Sequence, residues 1–189
     1  MRIAVAAVLV GLGTLLALAS VAAGGRAAAG CRTVEKNRDT EAVFGHFATR
    51  AAAAEFLAVA EHRGFKGFEI ENDGCGDIEL ESAEITQAQR SAFAHEAEIS
   101  KIQVTWELPG RPDRRVPGRV LAVFGTRTTI TAANALAWLV AGYGFRYIDI
   151  AYAPGAWRVV QAGVPVGQEA AFRAEVARTK RLTVTFATH

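Results

Sequence analysis

The chain repeats itself at a fixed spacing of 80 residues. Ala42-Val43-Phe44-Gly45 returns as Ala122-Val123-Phe124-Gly125, Thr49 as Thr129, Ala52-Ala53 as Ala132-Ala133, and Gly64-Phe65 as Gly144-Phe145. Ile70 and Ile150, Ala94 and Ala174, Ala97 and Ala177, and Val104-Thr105 and Val184-Thr185 extend the match without a gap. A repeat of this length exceeds a solenoid unit and has the size of a small domain. It constrains the fold to two copies of one compact module, so any function has to be argued module by module.

Within each copy the hydrophobic period changes in the same order. Thr40 to Phe47 reads as a strand. Thr49 can cap a helix running from Arg50 to Arg63, where Ala53, Phe56, Leu57 and Ala60 recur at helical spacing. Gly64 suits a left-handed helix end. Phe68 and Ile70, then Ile78 and Leu80, alternate with polar residues on either side of a glycine-rich turn. A more polar helix over Gln87 to Glu98 and a strand through Ile102, Val104 and Trp106 complete the unit. In the second copy the corresponding segments are Val120–Thr126, Ala132–Ala141, a strand through Ile148, Ile150 and Tyr152, Trp157–Ala162, Gln168–Arg178, and a strand through Leu182, Val184 and Phe186. Trp106 and Trp138 sit in apolar periods and are expected in the cores. The order predicts an α+β protein of two tandem ferredoxin-like βαββαβ modules, residues 40–107 and 120–188. Each is a four-stranded antiparallel sheet with two helices on one face, which leaves the other face open. Residues 108–119, with three prolines and two glycines, read as a semi-stiff linker.

The N-terminal residues 1–29 have a charged start, an apolar run from Ile3 to Leu18 and small-residue exits, the pattern of a secretory signal. An uncleaved membrane anchor and a lipidated Cys31 are the alternatives, and residues 30–39 form an arm into the first module. The expectation is an exported protein, periplasmic, cell-wall-associated or extracellular, touching membrane only through this segment if it stays uncleaved or is lipidated. Export suits a disulfide between the two cysteines, Cys31 and Cys75. Residues 31–107 carry 8 basic and 15 acidic side chains and residues 108–189 carry 11 and 4, so the halves have opposite fields of −7 and +7. These fields favour mutual attraction of the modules, or an anionic partner for the second. A near-neutral exported chain without an aromatic-basic motif argues against nucleic acid. His46, His62, His95 and His189 are scattered without ligand spacing, so no metal or other cofactor is expected.

Val43-Phe44-Gly45-His46-Phe47, the alanine-rich helix after it and Gly64-Phe65 resemble the sporulation-related repeat (SPOR) family. So do Val123-Phe124-Gly125, Ala132-Ala133, Gly144-Phe145 and the strand Trp157-Arg158-Val159-Val160. The likeness covers both modules. It implies the ferredoxin-like fold and binding of bacterial peptidoglycan, through the exposed sheet, at glycan strands stripped of stem peptides.

On the second module that face is expected to carry Tyr147 and Asp149, then Trp157, Val159 and Gln161, then Thr183 and Thr185, with Arg158 nearby if the strand register differs by one. Trp157 is the expected aromatic plate for a sugar ring. The first module instead places Glu69, Glu71, Glu79 and Glu81 on its open face, where alternating carboxylates are normally solvated. Paired glycosidase carboxyls need a cleft between them, and no Ser-His-Asp set, phosphate loop or dinucleotide fingerprint occurs. The expectation is a non-enzymatic protein that binds peptidoglycan or another cell-wall glycan. Docking of an envelope protein or self-association on the same faces is the alternative, and a ligand held between the modules is a third reading.

Overall fold

The computed structural model describes residues 40–82, 85–108 and 117–187. The expected signal segment, the arm with Cys31 and most of the linker lie outside them. Among the described residues no helix is long and apolar enough to cross a membrane.

The first half runs β1 (Glu41–Phe47), α1 (Arg50–His62), β2 (Glu69–Gly74), β3 (Asp77–Ser82), α2 (Gln87–Ile99) and β4 (Thr105–Glu107). The second runs β5 (Arg119–Arg127), α3 (Ile130–Gly142), β6 (Ile148–Ala153), β7 (Ala156–Pro165), α4 (Glu169–Arg178) and β8 (Thr185–Ala187). The chain is an α+β fold with two antiparallel sheets, ordered β2-β3-β1-β4 and β6-β7-β5-β8.

The sequence repeat has a local physical basis. Thr49 and Thr129 cap α1 and α3 identically, each hydroxyl accepting from the backbone N–H three residues on, at 3.2 Å in both. That bond satisfies a donor the helix cannot use internally. Gly45 and Gly125 each follow a β-bulge in the central strand. Val43 pairs with Thr105 as Val123 pairs with Thr185. The tip of the first hairpin is left-handed at Cys75 (φ 55°), where the second copy has Gly155 (φ 76°).

The gap-free match fails in one place. The second helix of each copy aligns at a spacing of 79, so that Phe93 corresponds to Phe172 and buried Ala97 to buried Val176. Left-handed Lys101 (φ 55°) corresponds likewise to Lys180 (φ 57°). Ala177, the residue 80 places after Ala97, is exposed. Burial phase decides the alignment here, and two small alanines in sequence do not. The register returns to 80 at Ile102 and Leu182, both buried.

Each sheet packs one face on its helices. In the first core Phe44 is surrounded by Phe65, Phe68 and Phe93, with ring centroids 4.1 to 5.8 Å away, and Trp106 closes the cluster against Phe93. In the second core Phe124, Phe145 and Phe172 occupy equivalent places. The halves also touch one another. The Trp138 ring meets Phe56 at 6.1 Å, its carbonyl accepts from Gln103 Nε2 at 3.1 Å, and Tyr147 Oη accepts from Arg90, which also donates to Thr40. Trp138 is therefore half-buried where the halves meet, a different place from the core expected for it. α3 is apolar nearly all round because it serves both halves, as a helix buried on two sides must.

Candidate functional site

The face of the first sheet away from its helices was expected to be open, and it is buried. His46, Asp77, Glu79, Glu81, Thr105 and Glu107 all lie there with little or no exposure, Glu79 with none. Glu69 and Glu71, on the edge strand β2, are exposed, so only half of the expected carboxylate row is solvated.

The burial concentrates ionisable groups. His46 on β1 is the direct cross-strand neighbour of Glu79 on β3. Its Nδ1 lies 3.1 Å from both carboxylate oxygens of Asp77, and its Nε2 lies 3.2 Å from Glu79 Oε1. A carboxylate of Glu107, at the end of β4, completes a set in which the His46, Glu79 and Glu107 ligand atoms all lie within 4.8 Å of one another. From the second half, Asp149 on β6 hydrogen-bonds Glu107 and accepts from the backbone N–H of Ile150. Asn134 of α3, 7 % exposed, and the Trp138 ring close over Gly45, where a Cβ would sit 3.2 Å and 3.1 Å from them.

Burial alone would lower the His46 pKa. The charge and hydrogen bonds of Asp77 outweigh it and raise the imidazole to about 9, with Asp149 and Asp73 adding to the effect. Burial pushes Asp149 up, against the opposing pull of Glu107 and His46. A second carboxyl group stands beside this set. Glu81 is raised to about 10 by burial, by its hydrogen bond with Glu71 and by the charge of Glu41, so it holds its proton at neutral pH.

The glycan-binding candidates are not brought together. Trp157 (5 % exposed) and Val159 (0 %) are inside the helix-side core, the Trp157 ring set edge-on to Tyr152 at 5.0 Å. The cause is register. Ala153 pairs with Ala156 across a two-residue turn, so Tyr152 pairs with Trp157 and shares its face. Since Tyr152 points inward by the alternation of β6, Trp157 must as well. The spacing of the turn carries this information in the sequence. Gln161 falls on the same side, lining a shallow cleft of about 330 Å³ with Val164, Gln168 and Phe172. Tyr147 is held against Arg90 of the first half, and Asp149 is buried in the carboxylate set. Arg158, Thr183 and Thr185 are exposed. On the helix-free face of the second sheet, Leu121, Ala151 and Val160 form a small buried apolar patch.

Cys75 is disulfide-bonded, while Cys31 lies outside the described residues. The sequence reading missed the approach of His46 to Glu79 and Glu107, since these residues are far apart in the chain.

No protein-family model matches this chain. No curated protein matches it either.

Proposed function

We propose that this is a non-enzymatic, exported binding protein of the bacterial cell envelope, built of two SPOR-like modules of ferredoxin-like order. Its second module contacts peptidoglycan glycan strands. The reading is supported by one observation. Arg158 pairs with Thr126 and Ala151 across the second sheet, and Thr185 pairs with Val123 on the neighbouring strands, which sets Thr126, Arg158 and Thr185 on the helix-free face with all three exposed. Thr183, two residues earlier, is exposed as well. Three hydroxyls and a guanidinium around a small apolar patch suit a hydroxylated, anionic polymer, held by hydrogen bonds rather than by ring stacking. The first module, its sheet face buried, takes no part in this contact.

Cosedimentation with purified sacculi, with and without stem peptides, tests the reading. Arg158→Ala combined with Thr185→Val should weaken retention about tenfold or more, the loss of hydrogen bonds that include a charged donor. Unchanged retention excludes this face. Retention that survives glycan digestion assigns the face to a protein partner instead.

A further inference from the structure

We propose that His46, Glu79 and Glu107 form a binding site for a divalent transition-metal cation, Zn²⁺ or Mn²⁺, at the meeting of the two halves. The donors are one imidazole nitrogen and two carboxylate oxygens, mutually within 4.8 Å, a spacing that allows one ion to touch all three. The ion takes the place of the proton on the imidazole nitrogen, which is released to solvent. They come from three neighbouring strands of one sheet, β1, β3 and β4, and each is buried. Rigid strands hold ligand geometry better than loops do.

The surroundings fit the same assignment. A metal-binding histidine usually gives its second ring nitrogen to a carboxylate, which sets the tautomer and the ring angle. Asp77 occupies that place, both its oxygens 3.1 Å from Nδ1, which directs Nε2 at Glu79. Asp149 reaches Glu107 from the second half, so the ligand carboxylate has an outer partner as well. An imidazole in the donor set disfavours Mg²⁺ and Ca²⁺, which prefer all-oxygen shells, and favours Zn²⁺, while the two carboxylates also suit Mn²⁺. The role is structural. The ion ties three strands of the first module to a site that the second module completes, and this holds whether or not the second sheet binds glycan.

The test uses the tag-free full chain, stripped with chelator and then titrated separately with Zn²⁺, Mn²⁺, Mg²⁺ and Ca²⁺. Melting temperature and elemental analysis after dialysis are the readouts. One equivalent of Zn²⁺ or Mn²⁺ should be retained with a raised melting temperature, and Mg²⁺ and Ca²⁺ should do neither. Glu79→Gln and Glu107→Gln keep side-chain shape and should each weaken binding at least tenfold. Asp77→Asn should weaken it by about 10- to 100-fold through the ring it positions. Glu69→Gln, on the exposed edge, should match the parent. A readout that needs no variant is Co²⁺ added to the parent, which should develop a visible d–d band that Zn²⁺ abolishes. No retained ion, no thermal shift and no cobalt band would overturn the proposal, as would retention unchanged in both glutamine variants.

Discussion

Trp157→Ala separates a core residue from a ligand plate. The indole is 5 % exposed and packs edge-on against Tyr152 within the core that β5, β6 and β7 share with α3 and α4. A buried aromatic side chain removes about 150–250 Å² from water. At about 25 cal/mol per Å² its loss costs about 4–6 kcal/mol, close to the 3–5 kcal/mol seen for Trp or Phe truncations in cores. A domain of this size has a total stability of about 5–15 kcal/mol. Trp157→Ala should therefore leave the whole fold marginal, with the urea midpoint shifted far down and near-ultraviolet dichroism weakened at 25 °C. Trp157→Phe should retain more of the contact and fall between variant and parent. Urea unfolding followed by circular dichroism decides the matter. A Trp157→Ala protein whose midpoint stays within about 0.5 kcal/mol of the parent, while losing sacculi, would refute the packing argument and restore the residue as a sugar platform.

Glu81→Gln should stabilise the chelator-treated protein at pH 8. The folded carboxyl, raised to about 10, keeps its proton while the unfolded one ionises near 4.5, so its contribution is full below about pH 4.5 and is lost as pH rises towards 10. Urea midpoints at pH 4, 6 and 8 should show the gap between variant and parent widening with pH, and a less stable variant at pH 8 would contradict this. Gly45→Ala should destabilise by about 1–3 kcal/mol and shift Trp138 fluorescence, since the new methyl lies 3.1 Å from the indole and 3.2 Å from Asn134. Thermal melts with and without reductant should differ by about 2–4 kcal/mol, because Cys75 is disulfide-bonded at the hairpin tip.

Much of the architecture is legible from residue order. The threonine cap, the left-handed glycine after the first helix and the positions of the strands read correctly, because each is a local signal repeated twice. The errors arise where strand pairing sets the outcome, across the short β6–β7 turn or between segments far apart. Trp157 alternates with Arg158 in sequence either way, and only its partner across the hairpin determines which of the two faces the helices. Ala97 and Ala177 match by identity, yet α4 is turned so that Val176 takes the buried place. His46, Glu79 and Glu107 have no spacing that marks them as a set. Strand register between β1 and β3 brings the first two together, and the third arrives from β4. The carboxylates of β3 look like solvated charge in one dimension, since nothing in the alternation tells which faces a second domain will cover.

The helix α3 has a consequence for how this tandem can be divided. Its Trp138 leans on Phe56 of the other half, and its neighbour Asn134 on Gly45. Severed at the joining segment, the C-terminal piece would show an indole to water, and the N-terminal piece would lose Asp149 from beside its ionisable interior. The two siblings are no longer interchangeable, and they should melt as one cooperative body.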